Sequence, residues 1–202
     1  LFDFLQKGGY LMYPLAVCFV VAAAIYFERL WALAALRTRP PGFIQMLLRF
    51  IHGGDFEKAE TACVQSQSTI AQIAFAALRH RGLSRRELKE VCDEKGALEV
   101  ARLERGIGVV GTMASIAPLL GLLGTVTGMI QVFRKIAEET DPQIDVLAGG
   151  IWEALVSTGA GLTVAIPCFI AYRHLLAHVD RTALQLEETT IEIIDALAEK
   201  KA

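Results

Sequence analysis

No charged side chain occurs between Arg105 and Arg134, and the only one between Asp145 and Arg173 is Glu153. The run Tyr10 to Phe27 is also free of charge. Such stretches exclude the polar face of a soluble surface helix, and each is long enough to cross a hydrocarbon core of about 30 Å. Cysteine is scarce and scattered: Cys18, Cys63, Cys92 and Cys168 form no close pair, which excludes a disulfide framework and reads as isolated thiols. Basic excess is missing too. Twenty Lys and Arg stand against twenty-two Asp and Glu, for a net charge of −2, so nothing points to nucleic acid. Phosphate loops, nucleophile motifs and paired acids are absent, which argues against an enzyme and against a cofactor. His174 and His178 share a helix face without a third ligand, and read as interfacial cations rather than a metal site. What is there is apolar: 53% hydrophobic residues and a mean hydropathy of +0.43, too high for an ordinary soluble domain.

The stretch Gly106 to Phe133 organises the chain, GIGVVGTMASIAPLLGLLGTVTGMIQVF. Ala114, Ala117, Gly121, Gly124 and Gly128 recur at steps of three and four, which at roughly 100° per residue makes one stripe. Thr125 lies in the same arc, and Leu119, Leu122, Leu123, Val126 and Ile130 lie opposite. A stripe of small residues lets helix backbones approach closely, so this reads as a packed membrane helix. The run Val146 to Tyr172 separates in the same way. Gly150, Glu153, Ala154, Ser157, Thr158, Gly161 and Ala165 share a small, polar arc, with Trp152, Leu155, Leu162, Ile166 and Phe169 behind it.

These patterns predict an all-α membrane protein with three spanning helices and helical extensions. Residues 1–9 form an outer N-terminus, 10–31 the first span, and 32–105 a cytoplasmic helical domain. The second span covers 106–133, an outer loop 134–145, the third span 146–172, and a cytoplasmic C-terminal helix 173–202. Lys7 precedes the first span while Arg29, Arg37 and Arg39 follow it, which puts the N-terminus outside. The chain opens on Leu1 rather than Met, which reads as a trimmed start. Pro40-Pro41-Gly42 breaks the chain after the first helix, and helices are expected over Phe43–Ile51, Asp55–Gln65 and Thr69–Arg81, with Asp55 as an N-cap. Ser84-Arg85-Arg86-Glu87 fits a capping box. With no proline until Pro118, it predicts one helix from Arg85 to Phe133. Asp141-Pro142 starts the turn back, and Pro167 marks a site for a kink. Leu176, Val179, Ala183, Leu186, Thr190, Ile193 and Leu197 form a heptad seam, which fits either helix pairing or a face against the middle domain. Two small-residue faces in so short a chain suggest a homo-oligomer around a common axis.

Thr125, Glu153, Ser157 and Thr158 are the candidate ion-pathway residues. A carboxylate at membrane depth is costly and usually faces protein or water. Glu153 fits a pore or subunit contact, or a shallow place reaching the outer headgroups or capping a neighbouring helix. Each threonine alone is explained by a bond to the carbonyl one turn back, whereas the set forms a polar ladder for water or a proton. Ala114, Ala117, Gly121, Gly124, Gly128, Gly150, Ala154, Gly161 and Ala165 are the small residues that face a pore or pack helices. No acid stands near the midplane.

Three blocks carry a family resemblance: GGYLMYPLAVCFVVAAAIYFERLWAL at Gly8–Leu33, APLLGLLGTVTGMIQVF at Ala117–Phe133 and LAGGIWEALVSTGAGLTVAIP at Leu147–Pro167. They resemble the MotA/TolQ/ExbB proton-channel family, and its ExbB/TolQ branch, ExbB above all. The resemblance implies a homopentamer in the bacterial inner membrane, around a pore holding the helices of a small single-span partner similar to ExbD or TolR. That partner supplies a membrane aspartate, which accounts for the missing midplane acid. Thr125 and Thr158 match the family's pore threonines and Glu153 its functional glutamate. The implied function is a proton-driven motor subunit that energises a TonB-like or TolA-like protein across the periplasm, for import of iron complexes or vitamins. Two other classes remain open: a self-contained channel or secondary transporter using Glu153, and a structural membrane scaffold.

Overall fold

The computed structural model describes residues 9–36, 42–66, 68–138 and 144–199, with only the backbone described at 34–36 and 146. The expected break at Pro40-Pro41 and the turn at Asp141-Pro142 lie outside these residues, as do residues 1–8 of the expected outer N-terminus. Among the described residues all regular structure is helical: α1 (Met12–Leu36), α2 (Phe43–Gly53), α3 (Phe56–Gln65), α4 (Thr69–Arg79), α5 (Arg85–Glu104), α6 (Ile107–Glu138) and α7 (Ile144–Glu199). Three stretches are long and apolar enough to cross a membrane: Met12–Leu33, Ile107–Glu138 and Leu147–Glu199. The chain divides into two compact units, one from the described part of Leu1–Arg29 with Gly106–Leu175, the other from Leu30–Arg105 with the described part of Leu176–Ala202.

The expected single helix from Arg85 to Phe133 is interrupted. Arg105 turns out of the helical region (ψ 125°) and Gly106 takes φ +84°, a left-handed conformation that glycine adopts freely. The amide of Val109 then bonds back to the Gly106 carbonyl at 3.1 Å and starts α6. Proline has the opposite outcome, because Pro118 and Pro167 are both accommodated inside continuous helices.

The first unit packs α1 against the pair α6 and α7. Met12 and Leu15 meet Ala117 and Ala165, while Ala22 meets Val110, Ala114 and Cys168. Many bulky residues point outward as well, among them Leu119, Leu122, Ile130, Trp152, Leu155 and Phe169. That inverted distribution suits a lipid or protein surrounding and not water.

The second unit has a large-side-chain core in which Leu47, Ile51, Ile70, Ile73, Leu78, Leu88 and Cys92 join Leu186, Ile193 and Leu197 of α7. The heptad seam from Leu186 onward is therefore an amphipathic face against the middle domain. Ser84 and Glu87 make the expected capping box at the start of α5. Asp55 stands at the N-cap position of α3, but its carboxylate accepts from Lys58 Nζ at 2.8 Å and caps no amide. Arg85 ties α5 to α7 through Asp195 at 2.6 Å. All four cysteines are free and buried. Burial, with the Glu60 carboxylate beside it, pushes the Cys63 thiol from the ordinary 9.0 to about 11. Burial and Asp93 do the same to Cys92, also to about 11.

Candidate functional site

The site grows from the contact between α6 and α7. A Cβ on Gly161 would stand 2.7 Å from the Ala117 carbonyl oxygen and 3.0 Å from Gly121 Cα. A Cβ on Gly121 would meet the Ser157 carbonyl oxygen at 3.0 Å, Thr158 Cα at 3.1 Å and Gly161 Cα at 3.2 Å. Gly128 faces Ala154, Gly150 faces Val132, and Gly124 faces the Ser157 hydroxyl. The two small-residue stripes therefore pack on each other within one chain, backbone against backbone. Ala114, Ala117, Gly121, Gly124, Gly128, Ala154, Gly161 and Ala165 are buried, and Gly150 is half-buried. In this chain they are helix-packing residues, and they no longer argue for an oligomer, since the two faces satisfy one another.

Close approach decides where the hydroxyls go. Thr158 Oγ1 donates across the helix pair to the Gly121 carbonyl at 3.0 Å. Ser157, 2% exposed, donates to Ala154 O at 2.7 Å and lies 3.3 Å from the same Gly121 oxygen. Thr125 behaves differently, because its hydroxyl donates at 2.7 Å to Leu122 O in its own helix. The explanation by local backbone bonding thus applies to Thr125, while Thr158 makes a bond between helices. Gly121 takes part twice, giving its bare Cα to the contact and its carbonyl to the hydroxyls.

Glu153 is half-buried, with its carboxylate against Gly9 just before α1. A cavity of about 10 Å³ opens beside it, lined by Gly9, Tyr10, Leu11, Gly124, Thr127, Gly128, Gln131, Glu153 and Ser157. That is about the room one water needs. The structure so brings Glu153 and Ser157 to one cavity and Ser157 and Thr158 to one carbonyl, while Thr125 lies outside that lining. Thr127 and Gln131 stand there instead. They escaped the sequence reading, although 124, 127, 128 and 131 follow the i, i+3, i+4, i+7 rule for one helix face.

This arrangement defines a class: a helical membrane protein whose second and third spans interlock through glycine, with a lone carboxylate and hydroxyls beside the contact. The model of the MotA/TolQ/ExbB proton channel family matches residues 65–188. An ExbB-like biopolymer transport protein of a Synechocystis species is 31% identical over 180 residues, covering 88% of this chain and 71% of that protein. Biopolymer transport protein exbB1 of Vibrio cholerae is 30% identical over 190 residues, 91% of this chain and 82% of its own. The Tol-Pal system protein TolQ of Haemophilus influenzae is 37% identical over 82 residues, covering 41% and 36%. The chain belongs to the MotA/TolQ/ExbB proton channel family, as an ExbB-like member.

Proposed function

We propose that this chain is the channel subunit of a proton-driven motor in the bacterial inner membrane. It assembles as a homopentamer with the N-terminus in the periplasm and residues 32–105 and 173–202 in the cytoplasm. A small single-span protein of the ExbD or TolR kind occupies the pore, and a TonB-like or TolA-like protein receives the work for import of iron complexes or vitamins. The observation that carries this reading is the setting of Glu153, the single charge between Asp145 and Arg173, beside Ser157 and a water-sized cavity. One shallow carboxylate suits a relay that exchanges protons with an acid brought by another chain, better than a complete channel. Thr125, Ser157 and Thr158 continue the polar route from it.

A second reading, the scaffold, draws on the hydroxyl bonds themselves, since Thr125 and Thr158 already have backbone acceptors. Thr158→Val separates the two. Interhelical hydrogen bonds in membranes are worth about 0.6 kcal/mol on average, so the variant is expected to assemble. The motor reading predicts that assembled Thr158→Val loses proton-driven transport. Wild-type transport by that variant would favour the scaffold. Proton flux from this chain alone in liposomes, as strong as that of the whole complex, would point to a self-contained channel.

A further inference from the structure

Gly9 precedes α1 with φ +70°, and the amide of Met12 bonds back to its carbonyl at 3.2 Å. A Cβ at this position would fall on Glu153 Oε1 and lie 3.1 Å from Glu153 Cδ. The backbone that opens the first span is thus laid directly on the carboxylate of the third. To the water-sized cavity that Gly9 and Glu153 line, α6 contributes Thr127 and Gln131. The Thr127 hydroxyl donates to the Leu123 and Gly124 carbonyls at 3.0 and 3.1 Å, which leaves its oxygen able to accept. The Gln131 amide supplies both a donor and an acceptor.

We infer that Gly9, Thr127 and Gln131 are positioning residues that form a seat for the Glu153 carboxylate, with Gly9 covering it and the two α6 side chains flanking a single-water cavity. A side chain at position 9 and the seated carboxylate exclude each other. Three helices therefore fix one carboxyl group: α7 carries it, α6 lines its cavity, and the entry to α1 covers it. Its place in proton transfer rests on the motor reading given above; the seat itself does not.

The test is the rate at which dicyclohexylcarbodiimide, an apolar carboxyl reagent, modifies Glu153 in the full complex in native membranes, read by peptide mass. Gly9→Ala and Gly9→Asn are compared, since asparagine tolerates the left-handed conformation that alanine resists. Displacement of the carboxylate predicts a several-fold change in modification rate for both variants. Gln131→Leu and Thr127→Val, which keep the shape of the cavity wall and remove its polar atoms, are expected to change the rate in the same assay. A change with alanine alone would assign the effect to backbone strain and overturn the seat, and so would wild-type rates in both Gly9 variants. Where a Gly9 variant does not accumulate, Glu153→Ser is added to make room. Recovery of accumulation supports the seat, and failure to recover overturns it. Because the readout is the carboxyl group itself, altered labelling beside intact transport would sink the motor role of Glu153 and leave the seat standing.

Discussion

Gly161 and Ile193 lie on the same helix and both are buried, yet they are buried for opposite reasons. Ile193, 1% exposed, fills a core with Leu47, Ile51, Leu78 and Leu88, and burial of its bulk is the stabilising term. Gly161 stabilises by having no bulk, because its Cα sits where another helix backbone passes. In the helical unit large apolar residues fill the interior and most charged ones stand outside, Glu99 being buried and paired with Arg102 at 2.7 Å. In the membrane unit the contact between α6 and α7 is built largely of Ala and Gly, Leu15, Ile107 and Val110 are buried beside it, and Leu119, Leu122, Ile130, Trp152 and Phe169 stand outside. Water rewards the first arrangement through the hydrophobic effect. In lipid that effect between helices vanishes, and close packing with interhelical hydrogen bonds takes its place.

Exchanging the two kinds of burial gives the largest expected effect. Gly161→Leu places a branched side chain against the Ala117 carbonyl and Gly121; overpacking costs typically about 1–3 kcal/mol, and more where, as here, the clash is with backbone. It is expected to separate α6 from α7 and abolish accumulation in the membrane, read by quantitative blotting of membrane fractions. Near-normal levels would show that the glycine contact is dispensable.

The converse change, Ile193→Ala, leaves a cavity in the helical unit and is expected to cost roughly 2–5 kcal/mol. It should lower the melting temperature of the detergent-solubilised protein, while Glu153 modification in the surviving folded fraction stays at the wild-type rate. A changed rate would mean that the site depends on the second unit's core.

A smaller effect comes from pH. Cys63 and Cys92 are held near 11, above the ordinary thiol value of 9.0, so the folded state keeps protons that the unfolded chain releases. Their contribution is fully present below about pH 9 and lost as pH rises toward 11. The variant carrying Cys63→Ala and Cys92→Ala should therefore lose less stability than wild type between those pH values, measured by helical circular dichroism on heating. Parallel losses would contradict the assignment.

The elements that proved legible in the sequence were those set by local pattern. Charge-free runs marked three helices long and apolar enough to cross a membrane, Ser84 and Glu87 marked a helix start, and steps of three and four marked the buried faces of α6 and α7. What periodicity leaves open is the identity of the partner. The stripe through Gly121 fitted a pore, a subunit contact or a helix of the same chain, and only the three-dimensional contact assigns it to Gly161. The seam through Leu186 and Ile193 posed the same question and has the same kind of answer. The break at Gly106 was hidden for another reason: a single glycine is compatible with helix, and its left-handed φ is invisible until the chain around it is folded. Thr125 was singled out and Thr127 was not, because the first shares the arc of the small residues. The cavity beside Glu153 also depends on where α1 begins, which no pattern within α6 or α7 encodes.

The most direct test of the motor assignment is native mass spectrometry of the complex, gently extracted from its own membranes. The account predicts five copies of this chain with a minority of a small single-span protein carrying a membrane aspartate. Copies of this chain alone, in any number, would contradict it.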